Sequence, residues 1–244
     1  MMKAMIFAAG LGKRLKEITS SRPKALVDLN GKTALHRAVE YCTLNGFNDI
    51  IVNVHHFADM VENEIDNLNK MGYRISVSDE RDMLLENAGG LYKARKFFND
   101  DPFLFYNVDI VTNLDLNAMF RYYEAKGGLA VSAVRHRPDK KYFLIDEPGR
   151  LRGWCNVETG EKSVPGNYSG ELSLIANSSV HIISPEIFKY MHEGIYSLVT
   201  LYLELLADNE IWTFLHDDGY WIDIGTQEDL RMAREVLSSL KSPE

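Results

Sequence analysis

Cysteine, long apolar runs and clustered positive charge are what this sequence has least of. Only two of its 244 residues are cysteines. Cys42 and Cys155 stand far apart, without the spacing of a metal knuckle or a disulfide framework. Free thiols of this kind fit a reducing compartment, so a cytoplasmic location is expected. No stretch approaches the roughly 18 apolar residues of a membrane span. The apolar start is soon interrupted by Gly10, Gly12 and then Lys13-Arg14, which argues against a secretory leader. Neither secretion nor a membrane partner is expected. Lysine and arginine number 27 against 35 acidic residues, a formal charge of −8. With no basic run to offset that excess, nucleic acid is not an expected partner either. Repeats and low-complexity tracts are also missing.

What is present is the material of an ordinary globule, 45% hydrophobic and 25% charged. The length suits one domain over residues 1–244, as a monomer or a small homo-oligomer. Periodicity predicts strands over residues 3–9, 49–54, 73–77, 102–106 and 129–134. Between them it predicts helices over 34–45, 58–71, 89–97 and 116–125. Such alternation implies an α/β fold, a Rossmann-like and mostly parallel sheet with helices on both faces. Its functional loops should follow strand ends, at residues 10–24, 79–90 and 107–113. The second half changes character, with short strands over 142–145, 151–154 and 178–183 and a helix over 200–207. This reads as an inserted lid over about 135–215. A further strand is predicted over 211–215, and a strand through Asp223 with a closing helix over 227–240 returns to the main sheet over about 216–244.

The first strand runs into Ala8-Ala9-Gly10-Leu11-Gly12-Lys13-Arg14-Leu15. Glycines let a backbone turn tightly and aim N–H groups at an anion. A dinucleotide fingerprint would need a third glycine where Leu15 stands, and an acid at the end of the second strand, which closes on Asn53-Val54-His55. A Walker loop would need four residues between its glycines, then Lys-Ser/Thr. Neither fits. The loop instead has its own cations: Lys13, Arg14 and, after Arg22-Pro23, Lys24. Arg14 offers a rigid fork to a phosphate, Lys24 a mobile point charge aimed by Pro23.

Two acids end apolar strands, Asp109 in Asn107-Val108-Asp109 and Asp223 in Trp221-Ile222-Asp223-Ile224-Gly225-Thr226. A carboxylate at the mouth of an apolar strand needs pairing, water or a ligand. Two of them converging make a hard oxygen site suited to Mg²⁺ bound to phosphate. In Leu84-Leu85-Glu86-Asn87-Ala88-Gly89-Gly90, the glycines leave room for a flat ring. Glu86 or a neighbouring backbone group would read the edge of a base. His55-His56 has no acid or cysteine at helix spacing and reads as a loop pair. His136, between Arg135 and Arg137, follows a strand where it could meet an anionic group.

These residues resemble the sugar-1-phosphate nucleotidyltransferases, also called NDP-sugar pyrophosphorylases. The signature Ala-Ala-Gly-x-Gly-x-Arg-Leu then Pro-Lys stands here as residues 8–15 with Pro23-Lys24. The base-binding Ala-Gly-Gly matches residues 88–90, the first metal Asp matches Asp109, and Trp-x-Asp-x-Gly-Thr matches residues 221–226. The length is similar to that of the short uridylyl- and guanylyltransferases acting on N-acetylmuramate 1-phosphate and mannose 1-phosphate. The resemblance implies transfer of a nucleotidyl group from a nucleoside triphosphate to a sugar 1-phosphate, with release of pyrophosphate. Residues 1–134 would then be the nucleotide-binding half and 135–215 the sugar-binding insertion. Ala8, Gly10, Gly12 and Lys13 would hold the nucleotide, with Arg14 and Lys24 as the catalytic cations. Glu86 and Gly89 would lie by the base, Asn177 by the sugar, and Asp109 and Asp223 on Mg²⁺. Two departures stand out: Val108 replaces the usual glycine before the metal Asp, and residues 175–180 lack the glycine of Asn-Ala-Gly-Ile. A non-sugar acceptor such as phosphocholine, or a nucleotide-binding relative without turnover, are the alternatives.

Overall fold

The computed structural model describes residues 2–10, 12–15, 19–166 and 168–240, with Lys13 by its backbone alone. In chain order the strands are β1 (Met2–Phe7), β2 (Phe47–Val54), β3 (Ile75–Asp79), β4 (Phe103–Asn107), β5 (Ile110–Thr112), β6 (Ala130–Arg135), β7 (Lys141–Ile145), β8 (Leu151–Asn156), β9 (Lys162–Ser163), β10 (Ser173–Ile183), β11 (Ile211–Leu215) and β12 (Trp221–Asp223). The α-helices are α1 (Ala34–Leu44), α2 (Ala58–Lys70), α3 (Glu86–Ala94), α4 (Leu116–Lys126), α5 (Leu198–Leu205) and α6 (Gln227–Ser239). The fold is α/β, as the alternation predicts.

The chain divides into two compact units, each made of separate stretches. The first comprises Met1–Leu84, Tyr106–Asn113 and Tyr220–Glu244, the second Leu85–Phe105 and Leu114–Gly219.

In the first unit β1, β2 and β3 pair in parallel, in the order β3-β2-β1. Parallel strands covered on both faces read as unbroken apolar runs, and Ile50, Ile51, Val52 and Val54 of β2 are all buried. α1 begins at Thr33, whose hydroxyl accepts from His36 N at 3.0 Å. A side-chain acceptor there satisfies a helix donor that has no partner of its own. The helix buries Leu35, Ala38, Val39 and Cys42 along one stripe. α2 does the same with Val61, Ile65 and Leu68. β5 and β12 form a separate antiparallel pair. A core of Val27, Leu29, Ala34, Val111, Ile222, Ile224, Leu230 and Ala233 anchors that pair against α6.

The second unit is mainly antiparallel. β10 pairs with β6 along one part and with β7 along another, and β7, β8 and β9 form a meander. β6 and β11 run parallel. β10 starts at Ser173, earlier than the predicted 178, because its first two residues are exposed and break the apolar signal. α3 starts at Glu86, three residues before the expected 89. Paired glycines lower helix propensity there, yet the turn is held from outside, Ala88 N and Gly89 N donating to Tyr196 O. Among the described residues no helix is long and apolar enough to cross a membrane.

His181 of β10 is 2% exposed, its Nδ1 2.8 Å from the Ser132 hydroxyl. Burial pushes its pKa down to about 3. Below pH 6.5 the unfolded chain takes up a proton that the folded chain refuses, so stability present above that pH is lost as pH falls towards 3. Between pH 7.5 and 5.5, wild type should lose about 1.4 kcal/mol more than His181→Gln, measured by denaturant unfolding. Equal losses in the two proteins would show that the ring takes up its proton as readily in the folded chain as in the unfolded one.

Candidate active site

Short backbone links at strand ends bring the two predicted acids together within the first unit. Val108 N donates to Phe7 O at 3.1 Å, tying the segment after β4 to the end of β1. Ile224 N donates to Asp109 O at 3.0 Å, so Asp223, one residue earlier, stands beside Asp109. Ile222 and Ile224 are buried on either side of Asp223 and fix its position. Gly225 N closes a tight turn onto Asp223 O at 2.7 Å. Thr226 then caps α6 in a reciprocal arrangement with Asp229. The sequence Asp-Ile-Gly-Thr thus encodes strand end, buried anchor, turn and helix cap in succession.

The predicted cations meet these acids. Pro23 is extended, at φ −70° and ψ 155°, and leads into a 3-10 turn at Lys24–Leu26. Lys24 Nζ lies 2.6 Å from Asp109 Oδ2 and 3.1 Å from Asp223 Oδ1. Its side chain is only 8% exposed, and an ammonium so enclosed requires paired charge. Arg14 Nη2 donates to the other oxygen, Asp223 Oδ2, at 3.0 Å, from a side chain 65% exposed. Burial acts to raise the Asp223 pKa, but Lys24 and Arg14 outweigh it, and the carboxyl titrates below its ordinary value. Its hydrogen bond and charge raise the Arg14 pKa in turn. Arg14 and Asp223 are thus both charged at neutral pH, and the ion pairs run from the exposed Arg14 to the enclosed Lys24.

The loop before them is shaped by Gly12, at φ +60°. Gly12 O accepts from Leu15 N and from the Thr19 hydroxyl, both at 3.0 Å. A Cβ on Gly12 would come within 2.8 Å of Thr19 Cγ2. Gly10 is exposed with open space around its Cα. The Lys13 side chain lies outside the described residues. Sequence reasoning missed Thr19, whose only signal is a hydroxyl four residues after Leu15. It also missed the role of Gly225, where a Cβ would sit 2.6 Å from the Arg14 guanidinium carbon.

Gly225→Ala keeps an ordinary φ and displaces only the flexible end of Arg14. Its stability should therefore change by less than about 0.5 kcal/mol, while turnover falls about tenfold. Arg14→Ala should fall further, on the order of 10²-fold, the scale for loss of a preorganised donor. Wild-type turnover in a Gly225→Ala protein of unchanged melting temperature would remove Arg14 from the machinery.

Glu86, Gly89 and Asn177 belong to the second unit. Glu86 is exposed, with φ +58°, a conformation that side chains other than glycine rarely adopt. Gly89 is buried, and a Cβ there would lie 2.1 Å from Gly194 O. Close packing against the Gly194 carbonyl accounts for a residue without a Cβ at this position. Asn177 Oδ1 accepts from Ser179 N at 2.9 Å, where β10 slips its register against β6. Val108 is buried at 5% exposure. His55 Nδ1 donates to Glu80 O at 2.7 Å. His136 pairs with Asp217 at 2.7 Å.

The chain is similar to several known proteins. At 29% identity the chain is similar to the N-acetylmuramate alpha-1-phosphate uridylyltransferase of Caulobacter vibrioides, covering 91% of each chain. It is 31% identical to mannose-1-phosphate guanyltransferase beta-B of Xenopus laevis, across 93% of this chain and 62% of that longer protein. The solved structure of HddC from Yersinia pseudotuberculosis shares the fold, with a TM-score of 0.79 at 24% identity over 97% of this chain and 100% of that one. Residues 3–239 match the Nucleotidyl transferase family, and it is to this family that the chain belongs.

Proposed function

We propose that the chain transfers a nucleotidyl group from a nucleoside triphosphate to a sugar 1-phosphate, giving an NDP-sugar and pyrophosphate. The observation that carries this reading is the Lys24 ammonium held between Asp109 and Asp223, with Arg14 on the outer oxygen of Asp223. The acceptor phosphate is already ionised at neutral pH, so its oxygen attacks the α-phosphorus without a general base. The remaining problem is to hold two anions in line and balance the charge on departing pyrophosphate. Arg14, exposed and rigidly forked, would meet the outer phosphates. Lys24 would hold its charge closer to the carboxylates, fixed by its turn after Pro23.

Asp109 and Asp223 would hold Mg²⁺. Each directs an oxygen to one point, the position of Lys24 Nζ, so a single cation can engage both. Among the described residues no third His, Cys, Asp or Glu joins them. A carboxylate pair completed by phosphate oxygens and water is a usual setting for this ion. When bound, Mg²⁺ supplies neutralisation of phosphate charge and orientation of the α-phosphate.

Uridylyl and guanylyl transfer are the forms we put first, since the two similar enzymes named above carry those activities. We assign the activity to the cytoplasm, where buried thiols such as Cys42 and Cys155 remain reduced. The test is pyrophosphate release from ATP, CTP, GTP and UTP, each crossed with glucose, mannose and N-acetylmuramate 1-phosphates and with phosphocholine, in Mg²⁺ or EDTA. Mg²⁺-dependent release with one sugar 1-phosphate is expected. Release with phosphocholine alone would replace the acceptor, and nucleotide binding without release would make the chain a non-catalytic relative.

A further inference from the structure

Beyond the charged groups, the first unit contains a buried polar pair, Asn53 and Glu80, at 2% and 0% exposure. Asn53 is the penultimate residue of β2, in register with Phe7, the last residue of β1. Past Phe7 the β1–β2 ladder stops, and the next two backbone N–H groups would lack ladder acceptors. The Asn53 side chain provides one in its place. Its Oδ1 accepts from Ala8 N at 2.7 Å and from Ala9 N at 3.3 Å, immediately before Gly10.

An amide can present either oxygen or nitrogen, and only its oxygen can serve these two N–H groups. Glu80 decides the orientation. Its Oε1 accepts from Asn53 Nδ2 at 2.8 Å, an acceptor to which a flipped amide would turn its own oxygen. Glu80 is itself fixed by its backbone, its N donating to Val54 O at 2.8 Å and its O accepting from His55 Nδ1. A buried carboxylate is a costly way to orient one amide, and core packing alone would be served by an apolar residue.

We propose that Asn53, oriented by Glu80, is a positioning residue for the nucleoside triphosphate: it sets the path on which Ala8 and Ala9 deliver Gly10 and the loop cations. This rests on the nucleotidyl-transfer reading above. A merely structural role would lower stability and act on both substrates alike. A positioning role acts on the nucleotide first.

The experiment compares wild type, Asn53→Asp and the double variant Asn53→Asp/Glu80→Gln at pH 7.5. The single change sets two carboxylates against each other and removes the oriented donor. The double change reverses donor and acceptor across the pair while leaving an oxygen for Ala8 N and Ala9 N. Binding of GTP and UTP is measured by calorimetry, KM for nucleotide and for sugar 1-phosphate by pyrophosphate release, and folding by thermal melting. For Asn53→Asp the nucleotide Kd and KM should rise at least tenfold, with the sugar-phosphate KM moving less than twofold. The double variant should return the nucleotide values to within threefold of wild type. The proposal is overturned by a wild-type nucleotide KM in the single variant. A double variant that is unfolded, or folded with the nucleotide KM still raised tenfold, overturns it equally, and this decides the matter even where the single variant does not fold. A wild-type chain that binds GTP or UTP without turnover sinks the transfer reading alone, because the Kd comparison still tests Asn53. One that binds neither overturns both.

Discussion

Asp109→Asn should lower kcat/KM on the order of 10³-fold while leaving a folded protein, a loss typical of removing preorganised charge from a phosphoryl-transfer site. The substitution keeps the shape of the side chain and its backbone link to Ile224, and removes only the negative charge. Lys24 loses its 2.6 Å carboxylate and keeps Asp223 at 3.1 Å. The enclosed ammonium is therefore still paired, and the cost to stability should stay near 1–2 kcal/mol. Asp223→Asn should behave in the same way, with Arg14 released as well. The measurements are pyrophosphate release at saturating Mg²⁺ and thermal melting. A variant within threefold of wild-type turnover would mean that Asp109 serves only to neutralise Lys24.

Lys24→Met separates two roles that one ammonium combines. Without it turnover should also fall by about 10³-fold, because positive charge is lost next to the reacting phosphates. Binding of a divalent ion to the protein alone should move the other way. Lys24 Nζ occupies the point that both carboxylates reach, so removing it removes a competing cation and leaves two anions facing each other. Mn²⁺, followed by its paramagnetic signal, should bind Lys24→Met more tightly than wild type, by about tenfold, or 1.4 kcal/mol. Unchanged or weaker Mn²⁺ binding would mean that Asp109 and Asp223 do not share a cation. Arg14 still donates to Asp223 Oδ2 in this variant and favours the charged form of that carboxyl.

Charge at strand ends is legible in a sequence because burial makes it costly and rare. That is why Arg14, Lys24, Asp109 and Asp223 could be named before any fold was in hand. Asn53 escaped notice for the opposite reason: inside Ile-Ile-Val-Asn-Val a lone amide looks like an interruption in an apolar strand. Its task depends on Ala8 and Glu80, 45 and 27 residues away. Glycines were the least transparent residues. Gly12 is explained by its φ, but Gly89 answers to the Gly194 carbonyl and Gly225 to the Arg14 guanidinium, neighbours that no local pattern announces. Helix and strand cores followed the apolar periods well. The three-residue β5 was too short to stand out, and β10 was read short because its leading end faces water.

The link between β5 and β12 has a consequence for how such a chain can change. Residues 114–219 leave the first unit after Asn113 and return to it at Tyr220, and these two residues are hydrogen-bonded to each other. Tyr220 N donates to Asn113 Oδ1 at 2.8 Å, and Asn113 N donates to Tyr220 O at 3.3 Å. The two ends of this excursion are thus pinned together, and the two strands that pin them also carry the approach to Asp109 and Asp223. A change within residues 114–219 that keeps the clasp keeps both ends of the excursion in place, so Asn113 and Tyr220 are where a graft would be joined.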